Sequence, residues 1–257
     1  MKADGLAPAI RAEFTKMRSI RSTSTALLLF GVISIGVGAL EGWSVRHAID
    51  THSSLVRRDF TPEQAGLDGV LYGQLAAIVF GVLLVTGEYG SGMIKLSLLA
   101  MPRRGGFYAA KMTVTALTVA VAAIPATLLC YAVTEFALGP HGASIAAHGV
   151  PRAMVGAVGY LALMSLLAAG LATMARNAIL PLAILLPLVL AGSQILSVIG
   201  ATSAVARYLP DQAGMRILAV HATGTAKLSP AAGLAVMLAW TAASLGGGYL
   251  LLRRRDA

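Results

Sequence analysis

Charged side chains are scarce in this sequence, and their scarcity excludes an ordinary soluble domain. Only 12% of its 257 residues are charged, whereas 57% are hydrophobic and the mean hydropathy is +0.77. In soluble domains, about a quarter of the residues are charged. The chain therefore has too few charges to cover a surface that faces water on all sides.

Motifs for catalysis and for metal or nucleotide binding are missing as well. Cys130 is the single cysteine, so a disulfide or cysteine-based metal framework is excluded, and we expect a small buried residue there. The sequence has no H-E-x-x-H zinc motif and no G-x-x-x-x-G-K-[ST] phosphate loop. We therefore expect no catalytic residue, no metal site and no cofactor bound by this chain.

Long apolar stretches are what the sequence has instead. Six stretches without any charged residue are each at least 19 residues long, and roughly 20 apolar residues cross a bilayer as a helix. We predict an all-α integral membrane protein that forms one transmembrane domain over residues 1–257. Its six membrane-spanning helices are predicted at residues 22–40, 69–87, 112–134, 153–175, 178–200 and 229–252.

The charges predict the orientation of these spans. Segments on one side carry 13 of the 20 basic residues against four acids, and the other side has seven of each. The positive-inside rule makes the basic side cytoplasmic, so we predict that both termini are inside. A cytoplasmic loop then covers residues 88–111. External loops cover residues 41–68, 135–152 and 201–227. The histidines of the first two loops (His47, His52, His141 and His148) are expected to be solvated side chains and not metal ligands, and a pH or ligand sensor is left open.

The N-terminal segment has the pattern of an amphipathic helix. One face is apolar, and another is basic and polar; the apolar face carries Leu6, Ile10, Phe14 and Met17. Such a helix can lie in the plane of the cytoplasmic headgroups before the first span begins. Because the basic residues border membrane spans, we expect anionic lipids as their partners and no nucleic acid.

Small residues and prolines predict local features within the spans. Gly69 and Gly73 have the spacing of a close helix contact. Pro125, Pro181 and Pro187 should kink or locally open their helices. Within the third external loop, residues 205–210 predict a short helix that ends at its proline.

The segment between spans 2 and 3 is half polar and ends in Pro102-Arg103-Arg104, with Lys111 before the third span. Together with the basic amphipathic leader, the six spans, Tyr208-Leu209-Pro210 and the arginine-rich C-terminus, this order of features resembles the type-2 exporter permeases of bacterial ABC transporters. The resemblance covers nearly the whole chain. It implies a multi-pass protein of the bacterial inner membrane that forms a homodimer or heterodimer.

The resemblance also implies different roles for the subunits of the transporter. The permease would form the translocation path, and separate cytoplasmic ABC ATPase subunits would bind ATP and Mg²⁺. A short cytoplasmic coupling helix between spans 2 and 3 would dock on the ATPase, with Glu88 at its start, where the helix dipole favours an acid. Ile94, Leu98 and Met101 would share its apolar face. The implied coupling residues are Glu88, Tyr89, Gly90, Gly92, Met93, Ile94, Leu98, Met101, Arg103 and Arg104.

Polar residues inside the spans are the candidates for the translocation path, which in this family involves spans 2 and 5. They are Gln74, Thr86 and Gln194, although each glutamine could equally form a structural hydrogen bond between helices. Two other classes of function remain open from the residues alone. One is an ion-coupled or passive secondary transporter or channel, which the lack of ionisable residues within the six spans disfavours. The other is a membrane scaffold or sensor that transports nothing.

Overall fold

The computed structural model describes residues 6–19, 21–53, 60–100, 103–199, 201–221 and 228–254. Within these ranges the chain is helical and contains no strand. In chain order the helices are α1 (Leu6–Ser19), α2 (Arg21–Asp50), α3 (Pro62–Gly90), α4 (Met93–Ala100), α5 (Arg104–Leu138), α6 (Val150–Ala175), α7 (Ile179–Pro187), α8 (Ser193–Val198), α9 (Ser203–Ala206), α10 (Pro210–Leu218) and α11 (Pro230–Arg254). A short 3₁₀ turn, Gly139–His141, follows α5.

Six helices among the described residues are long and apolar enough to cross a membrane, which confirms the predicted number. The fifth is built from α7, a five-residue π-helical segment and α8; the other five are α2, α3, α5, α6 and α11. Spans 2 and 4, formed by α3 and α6, are the most buried and pack against each other at the centre of the bundle. Span 1 packs on α3 and α5, and span 6 packs on α6.

The helices extend beyond the charge-free stretches of the sequence. The first continues to Asp50, and the second begins at Pro62 and so includes Asp68. Charge-free windows show only the part of a helix that can sit in hydrocarbon, whereas the helix itself continues past it. The predicted external loops at 41–68 and 135–152 are therefore shorter in the structure. Acidic and basic residues consequently lie within the long helices, near their ends.

Spans 1 and 2 approach each other closely at a glycine. A Cβ atom added to Gly69 would lie 2.5 Å from the carbonyl oxygen of Ser34 in α2. The same region holds Cys130, which is buried as predicted and whose thiol donates to the Ser34 carbonyl at 3.2 Å. The predicted glycine contact face is thus confirmed, and its partner is α2.

Proline opens the fifth span at one place. The helix changes to π-helical geometry over Leu188–Gly192, directly after Pro187. A proline removes one backbone donor and crowds the preceding turn, so a wider turn at this position is expected. By contrast, α5 continues as an α-helix through Pro125, and Pro181 lies in the first turn of α7.

The third predicted external loop contains two helices. The short helix predicted at residues 205–210 is present as α9, but it ends at Ala206, before the proline. Pro210 begins α10 instead of ending α9. Proline suits the first turn of a helix because its missing N–H is not needed there. Most of α10 is buried against α6 and α11, so this part of the loop belongs to the packed bundle.

The N-terminal helix packs against span 3. Its buried residues are Ala9, Glu13 and Met17, while Phe14 is exposed. The predicted apolar face is therefore only partly correct, since an acid takes part in the contact with α5. The position of α1 in the plane of the headgroups remains a prediction.

Candidate functional site

Four charged side chains from three helices meet at the end of the bundle that holds the predicted cytoplasmic residues, which we call the basic end. Lys111 of α5 lies with its Nζ 2.9 Å from Glu13 Oε2 of α1 and 2.5 Å from Glu88 Oε1 of α3. Lys16 of α1 forms a second ion pair with Glu88. Glu13, Glu88 and Lys111 are 8%, 2% and 3% exposed. We call this set of four residues the ionic cluster.

The ionic cluster ties α1, α3 and α5 together. Removing charges from water is costly, so two acids and two lysines must compensate one another where they are buried. Glu88 lies in the last turn of α3 and not at the start of the coupling helix, so the predicted favourable helix-dipole contact is wrong. Its charge is balanced by the two lysines instead.

The ionic cluster also reaches the short helix α4. Lys16 Nζ donates to Ser97 Oγ of α4 at 3.0 Å. On α4, Ile94 is buried, whereas Met93, Leu96 and Leu99 are 42%, 67% and 80% exposed. The outward apolar surface is therefore different from the predicted one, because Ile94 anchors the helix. The side chain of Leu98 and the whole of Met101 lie outside the described residues.

Other predicted coupling residues have structural roles at this end. Gly92 has φ +70°, a left-handed conformation that glycine adopts without strain, and it allows the turn from α3 into α4; Gly90 is the last residue of α3. The Arg176 guanidinium lies over the Tyr89 ring, with its Cζ 5.8 Å from the centroid. Arg104 donates to the Leu252 carbonyl at 2.9 Å and so caps the last helix. Arg103 precedes α5 and is exposed.

A second candidate site is a polar cavity toward the opposite end of the bundle. It has a volume of about 850 Å³ and lies between α3, the fifth span and α10. Pockets of roughly 300–1,000 Å³ accommodate drug-sized ligands. Its ionisable lining residues are Glu41, Asp68, Arg207, Asp211, Arg216 and His221, and its apolar ones include Leu71, Leu75, Val189, Leu190 and Met215.

Two of the three predicted path residues line this polar cavity. Gln74 accepts a hydrogen bond from the Tyr160 hydroxyl of α6, which matches the structural role left open for it. Gln194 is exposed in the fifth span, with its Nε2 3.9 Å from Met215 Sδ. Thr86 does not line the polar cavity; it is buried and donates to Val82 within its own helix.

Asp211 is a buried cavity residue that the sequence did not predict. It is 2% exposed, and its Oδ2 accepts hydrogen bonds from Ser193 of the fifth span and from Gln212 Nε2. Burial raises the pKa of this carboxyl, although those hydrogen bonds oppose the shift. The sequence places Asp211 in an external loop because its neighbours in sequence are polar. The one available signal was the Pro-Asp pair, which is typical of a helix start.

The fold defines this chain as a polytopic α-helical membrane protein. Over residues 9–192 it matches the family described as ABC-2 family transporter protein, and it belongs to that family. Comparison with curated proteins finds no match to this chain. Family membership makes the protein a permease subunit of an ABC transporter, and it favours that function over the carrier, channel, scaffold or sensor that the residues alone left open.

Proposed function

We propose that this protein forms the translocation path of an ABC exporter in the bacterial inner membrane and is driven by separate cytoplasmic ATPase subunits. The observation that carries the proposal is the link between α4 and the ionic cluster. A force applied to α4 reaches α1 through Ser97 and Lys16, and reaches spans 2 and 3 through Glu88 and Lys111. Movement of a docked subunit would therefore be passed to two spans at once.

The outward surface of α4 supports docking of a protein. Met93, Leu96 and Leu99 leave an apolar face uncovered on a short helix whose other side is anchored by Ile94. Amphipathic helices of this kind fit hydrophobic grooves of partner proteins. ATP and Mg²⁺ would be bound by the partner ATPase. The basic end would be cytoplasmic, in agreement with the excess of basic residues there.

A second permease copy, identical or related, would complete the path. In this proposal the path follows spans 2 and 5, and the polar cavity between them is its outer part in each copy. The π-helical segment after Pro187 lies beside the polar cavity and gives the fifth span a place to bend. ATP-driven closure of the ATPases would then exchange inward- and outward-facing arrangements.

Purification from native membranes tests the coupling proposal. We expect the wild-type protein to bring down a stoichiometric ABC ATPase, and we expect Leu99→Asp to lose it, because a charge on the docking face must be desolvated. Asn177→Asp is the matched control: it adds the same charge at an exposed position between spans 4 and 5 and should retain the ATPase. Reproducible absence of an ATPase from the wild-type preparation, or its retention by Leu99→Asp, would contradict the proposal.

A further inference from the structure

One oxygen of the Asp211 carboxylate has no hydrogen-bond partner among the described residues. Ser193 and Gln212 both donate to Oδ2, whereas Oδ1 is buried and has no hydrogen-bond partner among the described residues. A buried carboxylate oxygen without a donor is unfavourable by itself. Asp211 lines the polar cavity, so a rotation of its carboxylate would present this oxygen to a ligand there, which would supply the missing hydrogen bond.

The charges around the polar cavity favour a cationic ligand at its inner part. Asp211 is nearly fully buried, and Asp68 and Glu41 are half-buried on α3 and α2. The basic lining residues are more accessible: Arg207 and His221 are exposed, and Arg216 is half-buried. An ammonium group that donates to Asp211 Oδ1 would satisfy the oxygen and balance the acid. A carboxylate or phosphate placed there would meet a like charge.

The remaining walls add an apolar component to the site. Leu75, Val189 and Leu190 come from spans 2 and 5 and line the same cavity as Asp211. A ligand of matching chemistry has a hydrocarbon or aromatic body for these walls and an amine for the carboxylate. Hydrophobic burial contributes to its affinity, and the charged hydrogen bond determines its orientation.

We propose that the polar cavity binds lipophilic amines, with Asp211 accepting a hydrogen bond from the protonated amine. This inference rests on the proposed permease function and assigns a substrate class to its path. It predicts that affinity depends on the charge of the amine. It also predicts that the apolar body alone binds weakly.

A pair of fluorescent probes tests this directly. Monodansylcadaverine has a dansyl group and one free amine, and its N-acetylated form has the same body without the charge. Both are titrated near neutral pH into the purified permease in phosphatidylcholine nanodiscs, with empty nanodiscs subtracted. A hydrogen bond to a charged group predicts about ten- to hundredfold tighter binding of the amine. Equal affinity of the two probes for the wild-type protein would overturn the proposal.

Variants locate the site. Asp211→Asn should abolish the preference for the amine over its acetylated form. Asp50→Asn, an exposed acid outside the polar cavity, should leave the preference unchanged. Leu190 lines the cavity but is exposed, so a tryptophan fits there without disturbing the packed bundle. Leu190→Trp narrows the cavity and should weaken the binding of both probes. This variant keeps the test decisive if Asp211→Asn does not fold. Unchanged binding in either Asp211→Asn or Leu190→Trp would overturn the site.

The outcome is separable from that of the proposed function, because binding needs neither nucleotide nor an ATPase. A permease that brings down its ATPase but does not prefer the amine would refute the ligand class alone. A permease that prefers the amine but has no ATPase partner would refute the coupling alone.

Discussion

At the scale of single residues, the ionic cluster is the feature with the largest energetic consequences. Breaking a buried ion pair by removing one partner costs about 3–5 kcal/mol, because it leaves a charge without compensation. The exposed pair between Arg46 and Asp50, with 3.7 Å between Nε and Oδ2, belongs to a class that contributes at most about 1 kcal/mol. The buried pair of Glu88 and Lys111 and the exposed pair of Arg46 and Asp50 therefore allow the contributions of the two kinds of ion pair to stability to be compared directly.

Glu88→Gln and Lys111→Met should each lower the melting temperature of the purified protein clearly, whereas Arg46→Gln should change it little. The double variant should lose less stability than the sum of the single variants, because it leaves fewer unpaired charges. Thermal unfolding in one detergent measures the melting temperatures of all four variants, the three single ones and the double one. Strictly additive losses would show that Glu88 and Lys111 do not act as a pair.

A second residue-scale prediction concerns Asp211 and pH. Since burial raises the pKa of this carboxyl above its usual value of 3.8, the folded protein holds the proton more tightly than the unfolded chain does. The carboxyl therefore lowers stability as pH rises from 3.8 through its raised pKa, and it has no such effect at lower pH. Tyr160 of α6 is a titratable group that interacts with it electrostatically.

Asp211→Asn should therefore be more stable than the wild type near neutral pH, and the difference should shrink as the pH falls toward 3.8. Melting temperatures of both proteins across this range measure the effect, and Asp50→Asn serves as an exposed control. A difference that stays constant with pH would mean that Asp211 does not carry the buried charge described above.

At the scale of the elements, the contact between spans 1 and 2 depends on the absence of a side chain at Gly69. Gly69→Ala would place a methyl group 2.5 Å from a backbone oxygen, and such overpacking costs about 1–3 kcal/mol. Gly87 lies in the same helix with nothing within 4 Å of an added Cβ atom. Gly87→Ala should therefore stabilise the helix by about 0.5–1 kcal/mol.

Thermal unfolding of the two alanine variants gives the test, because both make the same chemical change in one helix. We expect opposite signs, with Gly69→Ala destabilised. Equal effects in the two variants would show that the spans are not in close contact at Gly69.

The elements also show what the sequence could and could not predict. The six spans and the glycine contact follow from local apolar runs and spacing, and the structure confirms them. The ionic cluster could not be found, because Glu13, Glu88 and Lys111 are far apart in sequence and become neighbours only when three helices pack. Asp211 was missed for a similar reason: burial of α10 depends on α6 and α11, whereas its own sequence is half polar.

At the scale of the whole molecule, the two candidate sites lie toward opposite ends of the helical bundle. The ionic cluster and α4 occupy the basic end, and the polar cavity lies between spans 2 and 5 toward the other end. Span 2 contributes to both, through Glu88 and Gln74. A displacement of α3 at the basic end would therefore also move the residues that line the cavity. The proposed ATP-driven mechanism requires such a connection.

In the proposed function, the exposed face of α4 meets a protein and not the lipid surface. A photo-crosslinking amino acid placed at Leu99, in native membranes, tests this most directly, and the same group at Asn177 is the control. We expect illumination to crosslink Leu99 of the permease to an ABC ATPase subunit, with a yield that changes when ATP is added. Crosslinks from Leu99 to lipid alone, or to no ATPase, would contradict it.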